Sequence, residues 1–404
     1  MSAAVARSQP AVEPRSEEGP IAILGAGLSG LSLANALLDA GVSQPIVLVD
    51  RRRTWERDRT WCTWLTGPLR FAPLASQSWW AWRTRWREQD VVARPARHPY
   101  IHLDARVVYE AALDRLAEAP NVEVLTGCTV LGVDPSGEHP KVRTAGATFE
   151  ADHVFDAMGA RSPLVRSRPA GEVELVQRFL GWEVEVDRPV FDPSIMTLMD
   201  FRAGDEGGVC FMYVLPFSPT RALVEHTTIG IGGPPTAERR MTLEAELGER
   251  WRARQWRVLR EERGLIPMTT YPFATHRGPR VHAVGAAAGA IRPSSGYAFT
   301  RIQRHVSRIA EAFAAGRPLP RSVGPARFRL LDKIFLTALH SRRHASEEMF
   351  VSLARTVPAD AMARFMTDVS STRDEAQILS ALPKRHMISA ALVTATASPS
   401  RSAR

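Results

Sequence analysis

The stretch PIAILGAGLSGLSLANALLDAGVSQPIVLVD, residues 20–50, decides the fold. Ile21–Leu24 is a short apolar run of the kind found in buried parallel strands. Gly25, Gly27 and Gly30 follow at G-x-G-x-x-G spacing, then an apolar helical pattern, then a second apolar run, Ile46–Val49, closing on Asp50. The spacing has physical reasons. Gly25 permits a sharp turn, Gly27 lets backbone approach a pyrophosphate, and Gly30, with Ala34 one turn on, lets the helix pack closely with its N-terminus toward the phosphates. Asp50 is placed to accept hydrogen bonds from an adenosine ribose. Strand, turn, helix and terminal acid together predict a dinucleotide site, against the plainer reading of an ordinary βα turn. The unit does not choose FAD over NAD(P), and Arg51–Arg53 suits either a 2′-phosphate or a solvated turn.

The wider composition narrows the class. The chain has 404 residues, 45% hydrophobic and 24% charged, the balance of an ordinary globular protein with room for two or three sub-domains. Its net charge of +9 comes almost wholly from arginine, since Lys141, Lys333 and Lys384 are the only lysines. A basic balance suits nucleic acid or an anionic membrane surface. The arginines are dispersed and no nucleic-acid-binding module is present, so nucleic acid is not expected as a partner. Three cysteines, Cys62, Cys128 and Cys210, without CxxC spacing, argue against a disulfide framework and a metal site, and place the chain in a reducing cytoplasm. Residues 1–19 have no apolar signal-peptide region, and no run approaches the ~18 apolar residues of a transmembrane helix.

Organisation along the chain is interleaved. Trp55, Trp61, Trp64, Trp79, Trp80, Trp82 and Trp86 crowd the segment after the first unit, as core or as the lining of a channel for a large apolar ligand. An amphipathic helix is expected in 98–118, a β-meander and a parallel strand in 122–159, and antiparallel strands at 177–186, 194–202, 208–217 and 221–230. Residues 280–313 return to strand, glycine loop and helix, and 325–388 carry helical periodicity. The expected fold class is α/β: a Rossmann-like FAD-binding domain with an inserted antiparallel-sheet substrate domain and a C-terminal helical region. That order is shared by aromatic hydroxylases and prenyl reductases. The expected divisions are a disordered tail at 1–19, the FAD-binding domain at 20–168 and 277–318, the substrate domain at 169–276, helices at 319–389, and a disordered tail at 390–404.

Six ordered blocks go further: DRTWCTW (58–64), PYIHLDA (99–105), FLGWEVEV (179–186), MDFR (199–202), YVLPFSPTRALVEHT (213–227) and PSSGYAF (293–299). With LLDKIFL (330–336) and ARFM (363–366), they resemble the lycopene cyclase family of carotenoid biosynthesis, nearest its bacterial β-cyclase type. The resemblance implies a redox-neutral isomerisation. The linear end group of lycopene is protonated, the carbocation closes on a neighbouring double bond, and a proton leaves to give a β-ring. It further implies FAD active in its reduced form, NAD(P)H as the reductant of the flavin, and peripheral attachment to the membrane that holds the substrate. The family's acidic catalytic residue lies in the motif that reads LVEHT here, so the role passes to Glu225.

The chemistry agrees with that assignment. A carboxyl group on a buried strand keeps its proton through desolvation and serves as a general acid. The cation it generates needs negative or π-rich neighbours, and a desolvated cation–π contact is worth about 2 kcal/mol. Alternation puts Leu223 and Glu225 on one face of their strand and Val224 and His226 on the other; the alternative is a glutamate facing solvent. His226 stands where the family commonly has a second acid, and relays protons or satisfies a neighbour. Gly285, Gly289, Pro293, Gly296 and Tyr297 resemble the family's second flavin contact, Arg292 replaces a common histidine, and Arg106 stands where the superfamily often sets an arginine against the cofactor. Trp61, Trp64, Asp200 and Arg202 are candidates for the substrate tunnel. A flavin monooxygenase or prenyl reductase is the alternative activity, against which Ala286 replaces the aspartate usual in those enzymes, and a non-catalytic prenyl-binding escort is a third.

Overall fold

The structure, a computed structural model, describes residues 19–165, 172–201, 208–341 and 346–396. The first segment forms β1 (Ile21–Leu24), α1 (Leu28–Asp39), β2 (Ile46–Asp50), β3 (Thr60–Trp64), β4 (Gln77–Trp79), β5 (Trp82–Trp86), β6 (Gln89–Ala93), β7 (Tyr100–Asp104) and α2 (Ala105–Ala117). It continues through β8 (Val122–Thr126), β9 (Val130–Asp134), β10 (Lys141–Thr144), β11 (Thr148–Glu150) and β12 (His153–Asp156). Then come β13 (Glu174–Val186), β14 (Met196–Asp200), β15 (Val209–Pro216), β16 (Arg221–Gly230), α3 (Thr236–Ala245), β17 (Trp256–Thr269), β18 (His276–Gly278), β19 (Val281–Ala283) and α4 (Phe299–Ala314). Five helices follow: α5 (Ala326–Ser341), α6 (Ser346–Thr356), α7 (Ala359–Met366), α8 (Thr372–Ala381) and α9 (Lys384–Thr396).

The residue 20–50 unit seeds a six-stranded sheet in the order β18–β19–β12–β1–β2–β8, parallel except at β18. Period-2 alternation sends Ile21 and Ile23 into a core shared with α1, α2 and α4, while Ala22 and Leu24 enter a second core under the β9–β10–β11 meander. This is the expected α/β flavoprotein arrangement. At the turn, Gly25 has φ +99° and a Cβ there would lie 2.8 Å from the Ala157 carbonyl; a Cβ on Gly30 would lie 1.9 Å from the Gly25 carbonyl. Strand and helix meet backbone to backbone, so neither position tolerates a side chain.

The second sheet has seven strands in the order β17–β13–β16–β15–β14–β5–β6. Two features depart from the sequence reading. Strands β5 and β6 belong to this sheet, β5 lying parallel to β14, so part of the segment assigned to the FAD-binding domain builds the substrate sheet. The 14-residue β17, unforeseen because REERG (260–264) reads as a solvated charge run, pairs along the whole of β13. Residues 390–396, expected to belong to a disordered tail, are part of α9, which continues to Thr396; the rest of that expected tail and, save Gly19, the N-terminal one lie outside the described residues.

Candidate active site

A continuous cavity of about 1760 Å³ runs from the Gly25–Gly27 turn, across one face of the seven-stranded sheet, to the C-terminal helices. It exceeds the ~300–1,000 Å³ usual for one small ligand. At its first end Gly25, Gly27, Ser29 and Asp50 line the wall. Among the described residues no side chain caps the first turn of α1, and the nearest atom to a Cβ built on Gly27 is 3.9 Å away. Open amide donors beside open space make a cradle for a pyrophosphate, so these residues fit a dinucleotide such as FAD. Asp50 Oδ2 accepts from the Ala26 amide at 2.6 Å and from Arg52 at 3.1 Å; Oδ1 accepts from the Arg52 amide at 2.8 Å and its Nε at 3.1 Å. Burial pushes this carboxyl up, but Arg52 and Ala26 outweigh it and hold it below the usual range. These bonds occupy both carboxylate oxygens with donors of the protein's own. The middle arginine of Arg51–Arg53 thus serves the acid.

Midway along the cavity stands Glu225. Strand β16 places it in register with Tyr213 on one side and Gly181 on the other, and Gly181 is in turn in register with Glu262 of β17. As alternation requires, Leu223 faces the aromatic cluster around Trp64 while Val224 enters the core beneath α3. Glu225 is 8% exposed and lines the cavity. Burial pushes its carboxyl well above the ordinary carboxylate range, and the charge and hydrogen bond of Glu262 push the same way against the opposing pull of Arg260. The hydroxyl of Tyr213, the neighbour of Glu225 on β15, lies 3.0 Å from that of Tyr100, which in turn lies 2.7 Å from that of Tyr297. Three of the chain's five tyrosines therefore meet at one point. Burial raises all three phenols, and the Cys62 thiol beside them, so each stays protonated. Trp64 packs on Tyr100 at 4.7 Å and on Tyr297 at 5.2 Å between ring centroids. The result is a buried acid beside aromatic walls, an arrangement able to protonate an apolar molecule and shelter a cation.

A sequence profile described as Lycopene cyclase protein matches residues 20–392. The chain belongs to the lycopene cyclase family. Members of that family are enzymes that catalyse cyclisation. The lycopene beta-cyclase of a Paracoccus species is 27% identical over 394 residues, covering 90% of this chain and 94% of the relative. That of Pantoea ananas is 27% identical over 270 residues, covering 61% and 69%. Among solved structures, a flavoprotein/dehydrogenase from Cytophaga hutchinsonii superposes with TM-score 0.62 at 14% identity, covering 94% of this chain and 99% of that one. A geranylgeranyl bacteriochlorophyll reductase-like protein from Thermoplasma acidophilum gives 0.60 at 15%, covering 93% and 99%. The fold is therefore that of the FAD-dependent flavoproteins.

The remaining expected site residues of this cyclase-family chain separate by location. Trp61, Trp64, Gly296 and Tyr297 line the cavity. Gly285 and Gly289, at φ +64° and +80°, bound the one-turn 3-10 helix Gly285–Ala288, whose Ala286 lines the cavity; Pro293 lies in the loop that follows. Three expectations are corrected. Arg106 is not at the cofactor cradle: it lies on the solvent side of α2, bonded to Glu110 at 2.7 Å, because Asp104 caps the helix through its amide and turns the side chain outward. His226 is on the far face of β16, where Nε2 lies 3.1 Å from Cys210 Sγ and Nδ1 3.3 Å from Arg239. Asp200 pairs with Arg250 at 3.1 Å, outside the cavity lining. Arg202 lies outside the described residues. Arg292 is fully buried against Asp332 and the Phe365 carbonyl, so it fastens α5 and α7 to the loop. Sequence reading missed Glu262, Gly181, Tyr100, Tyr213 and Cys62; the last four sit inside the six blocks, which was the available signal.

Proposed function

We propose that this chain cyclises the linear ψ end groups of lycopene, or of a related acyclic carotenoid, to β-rings, with Glu225 as the acid. The observation that carries the reading is a buried, proton-retaining carboxyl on the wall of an aromatic cavity continuous with a dinucleotide cradle. Glu225 gives its proton to the terminal double bond, forming a C–H bond and a tertiary carbocation. The neighbouring double bond supplies the electron pair that closes the ring. The Glu225 carboxylate then removes a proton beside the new cation, and the acid is restored without net electron transfer. Trp64, Tyr100, Tyr213 and Tyr297 exclude water, which would otherwise trap the cation as an alcohol, and present π-faces to it. Gly25, Gly27, the first turn of α1 and Asp50 would hold FAD, with Ala286, Gly296 and Tyr297 lining the same cavity. Reduced FAD, when bound, supplies an electron-rich ring that stabilises positive charge, with NAD(P)H as its reductant.

The substrate's home suggests docking at a membrane surface. Among the described residues no helix is long and apolar enough to cross a membrane. The cavity lining instead reaches the surface at Ile388 of α9, 61% exposed and one turn from Lys384 and Arg385. An apolar residue flanked by basic ones suits the face of an anionic bilayer.

Expression in a lycopene-accumulating host, with pigments resolved by chromatography, tests the reading. The wild type yields ring-bearing products of unchanged mass and purifies yellow. Glu225→Gln retains the flavin and loses about 10²–10⁴ in cyclisation rate, the usual worth of a general acid. Unchanged lycopene with the wild type would overturn the function; full cyclisation by the variant would overturn the site.

A further inference from the structure

Glu225 and Glu262 stand on strands either side of β13, each in register with Gly181. A Cβ on Gly181 would lie 2.7 Å from Glu225 Cγ and 3.3 Å from Glu262 Cγ, so its missing side chain is what allows the two carboxyls to meet. Two carboxylates ionised side by side over Gly181 would repel, so the pair sits together at least cost when one of them holds a proton. The surroundings decide which. Glu262 Oε2 accepts from Thr60 Oγ1 at 2.8 Å and from the Arg260 guanidinium, whereas burial and the neighbouring Glu262 push the Glu225 carboxyl well above its ordinary range. Arg260 is itself held by Glu183, which Arg57 and Arg221 also grip. The groups facing Glu225 are Glu262 and Arg260 from β17, Tyr213 from β15, Cys62 from β3 and Tyr297 from the loop before α4.

We infer that Glu262 is a positioning residue for cyclisation, accepting a hydrogen bond from Glu225 and keeping the acid protonated and aimed until an alkene replaces that contact. The inference rests on the cyclase reading and deepens it. When the Glu225 O–H bond breaks and the substrate C–H bond forms, two carboxylates stand side by side against the new cation. Their repulsion then favours return of a proton to Glu225 from the ring carbon, which closes the cycle with no electron gained or lost.

The test is the pH dependence of cyclisation by purified, flavin-loaded protein, read beside infrared titration of the protonated-carboxyl band that Glu225→Gln removes. Only protonated Glu225 is active, so activity and band are lost together as pH rises. Glu262→Gln removes the negative neighbour while Arg260 remains. The proton is then released more easily, and both midpoints fall by about one pH unit or more. Glu262→Asp keeps the charge and moves them less. Midpoints unmoved in Glu262→Gln, or moved equally in Glu262→Asp, overturn the inference. Should Glu262→Gln fail to accumulate, the wild type decides: lack of a Glu225-dependent carboxyl band at neutral pH overturns it. Protein that cyclises nothing at any pH removes the cyclase reading instead, and the infrared titration still judges the pair.

Discussion

Gly181 shows how much chemistry one missing methyl group carries. Its place in the middle of β13, where β-propensity disfavours glycine, is explained by the Glu225 and Glu262 side chains that occupy its space. Gly181→Ala is therefore expected to fold, with unchanged far-ultraviolet circular dichroism and bound flavin, yet to cyclise about a hundredfold more slowly, because displacement of a catalytic group by ~1 Å costs that order. Chromatography of pigments and a stopped assay on purified protein check both halves. Glu225 itself was legible, because LVEHT placed an acid on an apolar strand. Glu262 was not. Within REERG, period-2 alternation sends Glu261 outward to Arg240 and Arg263 and Glu262 inward to the cavity, and sequence gives no sign of which of two adjacent glutamates is the buried one.

Elements show a different division. The βα unit at residues 21–50 is local, and each of its signals, from the apolar run to the terminal acid, survives in the structure. The C-terminal helices were equally visible as periodicity, but their attachment was not. Asp332, one apolar-looking turn into LLDKIFL, accepts from Arg292 at 2.8 Å, Ser294 at 2.6 Å and Arg301 at 2.9 Å. Burial alone would raise this carboxyl, and the two arginines outweigh it and hold it below its usual range. Its contribution is thus present above the unfolded aspartate pKa and lost as pH falls through the lower folded one. Asp332→Ala leaves two buried guanidiniums short of a partner and is expected to cost about 3–5 kcal/mol, measured as a lowered urea midpoint. Arg292 therefore serves helix attachment.

At the scale of the whole molecule, the cavity is assembled from parts far apart in the chain: the first glycine turn, the β16–β13–β17 register, the loop at 285–297 and helices α5 to α9. If its outer end meets a bilayer, Ile388→Glu should reduce co-sedimentation with anionic vesicles severalfold, while flavin content and thermal midpoint stay unchanged; equal binding by both proteins would remove the docking proposal. The amino-acid sequence by itself determined the dinucleotide turn, the α/β class, the family and the strand face on which Glu225 lies, because these depend on short-range spacing, period-2 or helical patterning and ordered blocks. Only the tertiary structure decided that Arg106 lies away from the cavity, that β5 and β6 join the seven-stranded sheet, and that a second glutamate stands beside the first. Those are matters of strand order and register, set by which faces bury together across tens to hundreds of residues, and no local pattern encodes them.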